Sequence, residues 1–139
     1  MIQILQPPGW ALPKGYSNGI AVTGGTTVFI SGQVAFNSKG VFEEKNFAGQ
    51  FRQTLKNTLA VLAEAGGKPE HIVRMTWYVT DKKEYLGALK EVGVAYRELI
   101  GRHYPAMAVV QVGGLMEDEA KLEIETTAVI PDAPSTDAP

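Results

Sequence analysis

The stretch HIVRMTWYVT, residues 71 to 80, decides the fold because it is rich in β-branched and aromatic residues and separates two helical segments. That composition predicts a strand. Apolar or aromatic residues stand on both of its faces, with Met75 and Trp77 on one and Ile72 and Tyr78 on the other. Strands that are buried on both faces have this nearly continuous pattern. Both faces of the sheet are therefore predicted to need a cover.

The segments before and after this strand have helical periodicity. From Asn46 to Ala65, apolar residues recur every three or four positions, and the pair Gly66-Gly67 ends the pattern. Asp81 is predicted to cap a second helix, which continues to Gly101, and Glu84 is placed three residues later to complete a capping box.

Four further segments read as strands. Two precede the first helix and are predicted to form a hairpin at Gly24-Gly25, and two close the chain. These strands are Tyr16 to Thr23, Thr26 to Val34, Ala106 to Val112 and Ala120 to Ile130. Residues 1 to 15, which contain several prolines and glycines, are predicted to be an irregular arm.

The order ββαβαββ predicts an α+β domain with a sheet that carries two helices on one face. Residues 1–131 are expected to form this single domain, and residues 132–139 a disordered tail. The chain has no spare element to cover the second face, so another copy of the chain is the economical cover. We therefore expect a homo-oligomer.

Composition excludes several classes of function. The 139 residues carry a net charge of −2 without a basic stripe, so nucleic acid is an unlikely partner. There is no cysteine, which excludes disulfides and thiolate chemistry. The N-terminus lacks the pattern of a secretion signal, and no apolar run is long enough to span a membrane, so a cytoplasmic protein is expected.

Several short strings together resemble one family. Ile30-Ser31-Gly32-Gln33, Gly15-Tyr16-Ser17-Asn18-Gly19 and Leu122-Glu123-Ile124-Glu125 are similar to the Ser-Gly-Gln motif, the entry loop and the closing Ile-Glu-Ile-Glu of the RidA/YjgF family. The resemblance runs from Tyr16 to Val129. It implies a chorismate-mutase-like fold and a trimeric barrel with clefts between subunits. It also implies hydrolysis of reactive enamines or imines with release of ammonia, without a metal or organic cofactor.

The resemblance assigns roles to individual positions. Glu123 falls on the glutamate that handles water, and Tyr16 falls on a tyrosine of the cleft, so both are predicted to be catalytic. Ser31 falls on the serine of the Ser-Gly-Gln motif, and Gly32 lets a ligand approach the backbone closely, so both are predicted to bind substrate.

The chain departs from the family pattern at the position of the substrate-binding arginine. Met107 stands there, and a thioether cannot make the planar two-point contact of a guanidinium with a carboxylate. Gln111 replaces a usual glutamate and Gly93 a usual asparagine. Met107 and Gln111 are still predicted to line the substrate pocket. The altered pocket is expected to suit a more apolar or aromatic-derived substrate, such as the aminomuconate-type intermediates on which some variant family members act.

Other interpretations of these residues stay open. Glu123 also fits a solvent-facing strand glutamate, and the loss of the arginine also fits a non-catalytic trimer that binds metabolites or proteins. RNA cleavage, an activity attributed to some family members, is disfavoured by the charge. His71 and His103 are predicted to be structural, and no metal site is expected.

Overall fold

The computed structural model describes residues 2–133 and has the α+β organisation that the sequence predicts. In chain order its elements are β1 (Ile2–Leu5), β2 (Gly19–Val22), β3 (Thr26–Gln33), α1 (Phe47–Glu64), a 3-10 turn (Pro69–His71), β4 (Ile72–Val79), α2 (Lys82–Gly87), α3 (Leu89–Leu99), β5 (Ala106–Gln111) and β6 (Leu122–Ile130). The tail predicted for residues 132–139 lies outside the described residues from position 134 onward.

Four of the strands form one mixed sheet in the order β3-β6-β4-β5. β6 pairs antiparallel with both β3 and β4, whereas β4 and β5 are parallel and are joined by the crossover through α2 and α3. The predicted mixed sheet is therefore confirmed. The trimeric barrel concerns several chains and stays a prediction.

The irregular arm predicted for residues 1 to 15 is wrong at its beginning. Ile2–Leu5 forms β1, which pairs antiparallel with β2 and sets Ile4 opposite Ile20. All the prolines of this segment come after Leu5, so the first residues keep the backbone N–H groups that a strand pair needs.

The turn at Gly24-Gly25 exists, but the predicted hairpin does not. Both glycines have positive φ, 75° and 83°, yet β2 pairs with β1 while β3 pairs with β6. A Cβ on Gly25 would lie 2.6 Å from the carbonyl oxygen of Ile130, so the turn is packed against the end of β6. The glycines thus redirect the chain from one sheet to the other.

The first helix is confirmed over its predicted length. The Asn46 side chain caps α1 by accepting a hydrogen bond from the N–H of Gly49 at 2.7 Å. Its apolar face, with Phe51, Leu55 and Leu62 fully buried, packs on β3 and β6 and against α3. This helix is the main cover of one face of the sheet.

The second predicted helix is interrupted at Ala88, which separates α2 from α3. Asp81 caps α2 as predicted, because its carboxylate accepts hydrogen bonds from the N–H groups of Lys83 and Glu84. The Glu84 carboxylate, predicted to complete a capping box, instead lies 2.7 Å from Nζ of Lys121. Gly87 at the end of α2 reduces the cost of leaving helical geometry.

The two faces of the sheet have different environments. Met75, Trp77 and Val79 of β4 are buried on the side of the helices. An irregularity in pairing between Ile72 and Arg74 puts Ile72, rather than Val73, in the core. The side without helices, here called the open face, is more polar than the sequence predicts, although it also carries Phe29, which is 80% exposed.

A buried glutamine connects α1 to the beginning of β6. The Gln50 amide donates to the carbonyl oxygens of Glu44 and Glu119 at 3.2 and 2.9 Å, and its oxygen accepts from the N–H of Lys121 at 2.8 Å. Only 2% of Gln50 is exposed, so these backbone groups have little access to water. The contact fixes the chain two residues before Glu123.

We therefore expect Gln50→Leu to lower the free energy of unfolding by about 2–4 kcal/mol, since buried backbone groups would lose their partners. Chemical denaturation measures this change. The matched control is Gln53→Leu on the same helix, which should cost under about 1 kcal/mol because, among residues 2–133, the Gln53 amide bonds only to the Asn57 side chain. Equal losses for the two variants would contradict the assigned role of Gln50.

Candidate functional site

Glu123 lies directly against the Gly32 backbone. The pairing of β3 with β6 shifts register between Ile30 and Gln33, which makes Ser31 and Gly32 a bulge. A Cβ on Gly32 would lie 2.5 Å from Oε2 of Glu123 and 2.6 Å from its Cδ. Glycine is therefore required if the carboxylate is to keep this position.

The bulge places three predicted residues together. Gly32 lies against Glu123, Ser31 precedes it in the same bulge, and the Gln33 amide donates to both the carbonyl and hydroxyl oxygens of Ser31 at 3.2 Å. The Ser31 hydroxyl is exposed on this part of the strand. We call Ser31, Gly32, Glu123 and the neighbouring Glu125 and Tyr78 the acidic half-site.

Tyr78 is a member of the acidic half-site that the sequence did not indicate. It stands opposite Glu123 across the β4–β6 pair, and its hydroxyl donates to Oε1 of Glu125 at 3.3 Å. The negative charge of Glu125 raises the pKa of Tyr78 above its ordinary value, with smaller contributions from burial and from Glu123. Alternation alone could not find this residue, because the register of two distant strands brings it to the carboxylates.

A cavity of about 540 Å³ lies on the other side of the sheet, between β4, β5 and α3. Tyr16 and Met107, both predicted as site residues, are part of its wall. The full lining is Lys14, Gly15, Tyr16, Trp77, Tyr85, Leu89, Val92, Gly93, Tyr96, Arg97, Tyr104, Met107 and Val109. We call this the aromatic cavity.

The walls of the aromatic cavity are ordered by ring contacts. Tyr96 and Tyr104 stack with 5.7 Å between ring centroids, and Trp77 meets Tyr85 edge to face at 6.4 Å. Burial raises the pKa of both Tyr85 and Tyr96 above the ordinary value of tyrosine. The Tyr96 hydroxyl donates to the carbonyl of His103 at 2.5 Å.

The entry loop is fixed to the sheet edge beside this cavity. Ser17 is buried; its N–H donates to the carbonyl of Pro105 at 3.1 Å and its hydroxyl to the carbonyl of Tyr104 at 2.5 Å. These bonds hold the preceding Tyr16 at the cavity, with 42% of its surface exposed.

The charge of the aromatic cavity is positive. Arg97 and Lys14 are in its lining, to which residues 2–133 contribute no aspartate or glutamate. Neither cation was predicted from the sequence as a site residue. The sequence does contain one indication of Arg97: it lies four residues after Gly93, so the two residues share one side of a helix.

Gln111 has a structural contact in this chain. Its side-chain oxygen accepts a hydrogen bond from the N–H of Lys82 at 2.7 Å and so helps to cap α2. It is not among the residues that line the aromatic cavity. Its predicted contact with substrate stays a prediction.

The two histidines contact backbone groups. His71 accepts a hydrogen bond from the N–H of Lys68, and Nε2 of His103 lies 2.6 Å from the carbonyl oxygen of Ile72. Within residues 2–133, no three histidine or acidic side chains are grouped in a way that could hold a metal ion. None of the helices in that range is both long and apolar enough to cross a membrane.

The acidic half-site and the aromatic cavity lie on opposite faces of the sheet. Met107 pairs with Met75, whose side chain is buried on the helix side, whereas Glu123 pairs with Tyr78. Met75 and Tyr78 are three residues apart in one strand, so their side chains point to opposite faces. A single chain therefore does not present Glu123 and Met107 to one ligand.

Comparison with known proteins gives the class and then the family. The sheet order with its helices on one face is the chorismate-mutase-like α+β fold. A sequence model described as Endoribonuclease L-PSP matches residues 11–130. The chain belongs to the RidA/YjgF family.

Three relatives illustrate this membership. A RutC family protein of Aquifex aeolicus is 35% identical over 127 residues, which cover 90% of this chain and 97% of that protein. The 2-iminobutanoate/2-iminopropanoate deaminase of Escherichia coli is 33% identical over 108 residues, 76% of this chain and 80% of that enzyme. The crystal structure of YyfB, a Rid family protein of unknown function from Yersinia pestis, has a TM-score of 0.80 at 30% identity and covers 93% of this chain and 98% of its own.

The contact of Gly32 with Glu123 predicts a thermodynamic coupling. Gly32→Ala should destabilise the protein by about 0.5–1.5 kcal/mol, because the added methyl forces the half-buried Glu123 side chain out of its present rotamer. In a Glu123→Ala background, which removes the overlapping atoms, the same change should be close to neutral. Denaturant unfolding of the wild type, the two single variants and the double variant gives the coupling free energy between positions 32 and 123. A coupling free energy of zero would refute the contact.

The pKa of Tyr78 provides a second test. Glu125→Gln should lower this pKa towards its ordinary value, and Glu123→Gln should lower it less, since Glu125 is the larger cause. In the wild type, the raised pKa of Tyr78 adds to the free energy of unfolding at pH values below the ordinary pKa of tyrosine. This added stability is lost as pH rises through the raised pKa of the folded state. NMR titration of labelled tyrosine, assigned with Tyr78→Phe, measures the shift. An unchanged pKa in Glu125→Gln would be inconsistent with the proposed hydrogen bond.

Proposed function

We propose that this chain is an enamine/imine deaminase-like hydrolase, which releases ammonia from a small reactive metabolite in an altered pocket. The observation that carries the proposal is the position of Glu123, whose carboxylate lies against the Gly32 backbone in the space that a side chain at position 32 would need. The name of the Escherichia coli relative, an iminobutanoate/iminopropanoate deaminase, supports the same class of reaction.

The proposed chemistry needs only a positioned water and a proton carrier. Water attacks the carbon of a protonated imine while Glu123 accepts one of its protons; a C–O bond forms as the π bond of C=N breaks, which leaves a C–N single bond. Glu123 then returns the proton to the nitrogen, and the C–N bond breaks as the hydroxyl oxygen forms the C=O bond. The hydroxyl proton passes through Glu123 to the departing ammonia, so the products are a carbonyl compound and ammonium. General base and acid assistance of this kind contributes about 10²–10⁴-fold to rate.

Tyr16 has a complementary role in this proposal. Its hydroxyl makes no hydrogen bond within residues 2–133, and its ring is in the wall of the aromatic cavity. It is therefore available to donate to the substrate. Ser31 and Gly32, beside Glu123, would position the attacking water or a polar substrate atom.

The reaction requires more than one chain. Because Glu123 and the aromatic cavity lie on opposite faces, a complete site forms only where the open face of one subunit meets the cavity of another. The exposed Phe29 on the open face favours burial by such a contact. We propose a homotrimer, the assembly implied by the family resemblance, with one site at each contact.

The altered pocket favours a substrate larger and flatter than the smallest imino acids. Met107 adds an apolar, adaptable wall where the resemblance predicts an arginine, and aromatic rings form much of the remaining surface. A conjugated substrate, such as an aminomuconate-type intermediate of aromatic-ring degradation, would make favourable contacts with these rings.

A non-catalytic trimer that binds metabolites is the second candidate, and Met107 is the observation that favours it. Endoribonuclease activity, which the description of the matching sequence model suggests, has less support. Two carboxylates, Glu123 and Glu125, occupy the open face, where they would repel RNA phosphates.

Glu123→Gln should reduce ammonia release from an enamine or imine substrate by at least about 100-fold, because the amide cannot carry the proton. Tyr16→Phe should slow it by roughly 100-fold through loss of one hydrogen bond donor. Coupled detection of ammonia measures both, and light scattering confirms an intact oligomer. Binding of substrate without turnover by the wild type would favour the non-catalytic candidate.

Mixing the two variants tests whether sites form between chains. After subunits of Glu123→Gln and Tyr16→Phe are unfolded and refolded together, about one quarter of the sites should combine an intact cavity with an intact glutamate. Activity should recover to about that fraction of the wild type. No recovery, with mixed oligomers verified by mass spectrometry, would contradict a site shared between chains.

A further inference from the structure

Met107 stands where the family resemblance predicts an arginine that would bind a substrate carboxylate. The aromatic cavity nevertheless contains two other cations. Arg97 and Lys14 both belong to its lining, together with Met107 itself. Each cation reaches the cavity from a different element: Arg97 from the last turn of α3 and Lys14 from the entry loop. Arg97 and Lys14 are therefore the two candidates to replace the arginine in carboxylate binding.

Arg97 is directed along the cavity wall by the helix. Long side chains on a helix point towards its N-terminus and cover the preceding turn. Gly93 lies in that preceding turn, and a Cβ there would be 3.5 Å from Nη1 of Arg97. The guanidinium thus lies across a position that has no side chain, where the resemblance predicts an asparagine.

The guanidinium is also free to bind an anion. No salt bridge or side-chain hydrogen bond involves Arg97 among the residues from 2 to 133. Arg52, in contrast, lies 2.7 Å from the Glu98 carboxylate. Because none of the residues from 2 to 133 that line the cavity is acidic, a substrate carboxylate would supply the counter-charge there.

Arg97 is the better candidate of the two. A guanidinium can hold a carboxylate through two parallel hydrogen bonds, whereas an ammonium acts as a point charge on a flexible stem. Both residues are exposed, but the helix and Gly93 limit the positions of Arg97, while Lys14 belongs to an irregular loop. Lys14 would supply long-range attraction for the same anion.

We infer that Arg97 has taken over carboxylate binding from the position of Met107, and that the cavity selects carboxylates on a planar unsaturated or aromatic frame. This inference rests on the proposed function only for the reaction that follows binding. The binding of a carboxylate in the cavity can be tested without that reaction. The carboxylate would face Arg97, and the frame would lie among Trp77, Tyr85 and Met107.

Benzoate is a suitable unreactive probe, with benzamide as its neutral counterpart of similar shape. In a Trp10→Phe background, Trp77 is the only remaining tryptophan, so its fluorescence reports occupation of the cavity. Arg97→Gln should weaken benzoate binding by about 10- to 100-fold and leave benzamide binding unchanged. The matched control is Arg102→Gln, an exposed arginine outside the lining, which should change neither affinity.

Two substitutions at Gly93 test the geometry without removing the charge. Gly93→Leu should displace the guanidinium and weaken benzoate binding as Arg97→Gln does, whereas Gly93→Ala, with an ordinary 3.5 Å contact, should preserve it. Circular dichroism confirms that each variant is folded.

The possible results separate this inference from the proposed function. Benzoate binding that depends on Arg97, without ammonia release from any imine, would support the inference and refute the deaminase. Ammonia release or benzoate affinity that is unchanged in Arg97→Gln would overturn the inference and leave the deaminase intact. Loss of benzoate affinity only in Lys14→Gln would also overturn it.

Discussion

The antiparallel pairing of β6 between β3 and β4 is the constraint on which the candidate site depends. It sets Glu123 against Gly32 on one side and opposite Tyr78 on the other, although these residues are far apart in the chain. The same pairing sends Leu122 and Ile124 into the core, so a slip of one residue would bury the glutamate. Core packing and the position of the carboxylate are therefore specified together.

Local patterns predicted the elements better than their partners. The strand at residues 71 to 80 and the helix capped by Asn46 were predicted correctly, because side-chain periodicity and capping are encoded over a few residues. The hairpin at Gly24-Gly25 was wrong, since pairing of β3 with β6 rather than β2 is decided by packing across the whole domain. β1 was missed because prolines later in the segment dominated its composition.

The site was predictable only in part for the same reason. Tyr16, Ser31 and Glu123 were predicted as site residues through resemblance to a family, and Met107 through a departure from it; their roles stay predictions. Tyr78 and Arg97 were not found, because one depends on strand register and the other on how a helix packs beside a cavity. Nor could the sequence show that Glu123 and Met107 lie on opposite faces, because this depends on the pairing of β4 with both β5 and β6.

The separation of the two half-sites over opposite faces has a genetic consequence if each subunit contributes to two reaction centres. A chain with a damaged cavity would then impair one centre of the oligomer. A chain with a damaged glutamate would impair a different centre. Two alleles damaged in different halves would complement each other, whereas two alleles damaged in the same half would not. Because the cavity and the glutamate lie on opposite faces of the sheet, the pattern of complementation between alleles would show which face each mutation affects.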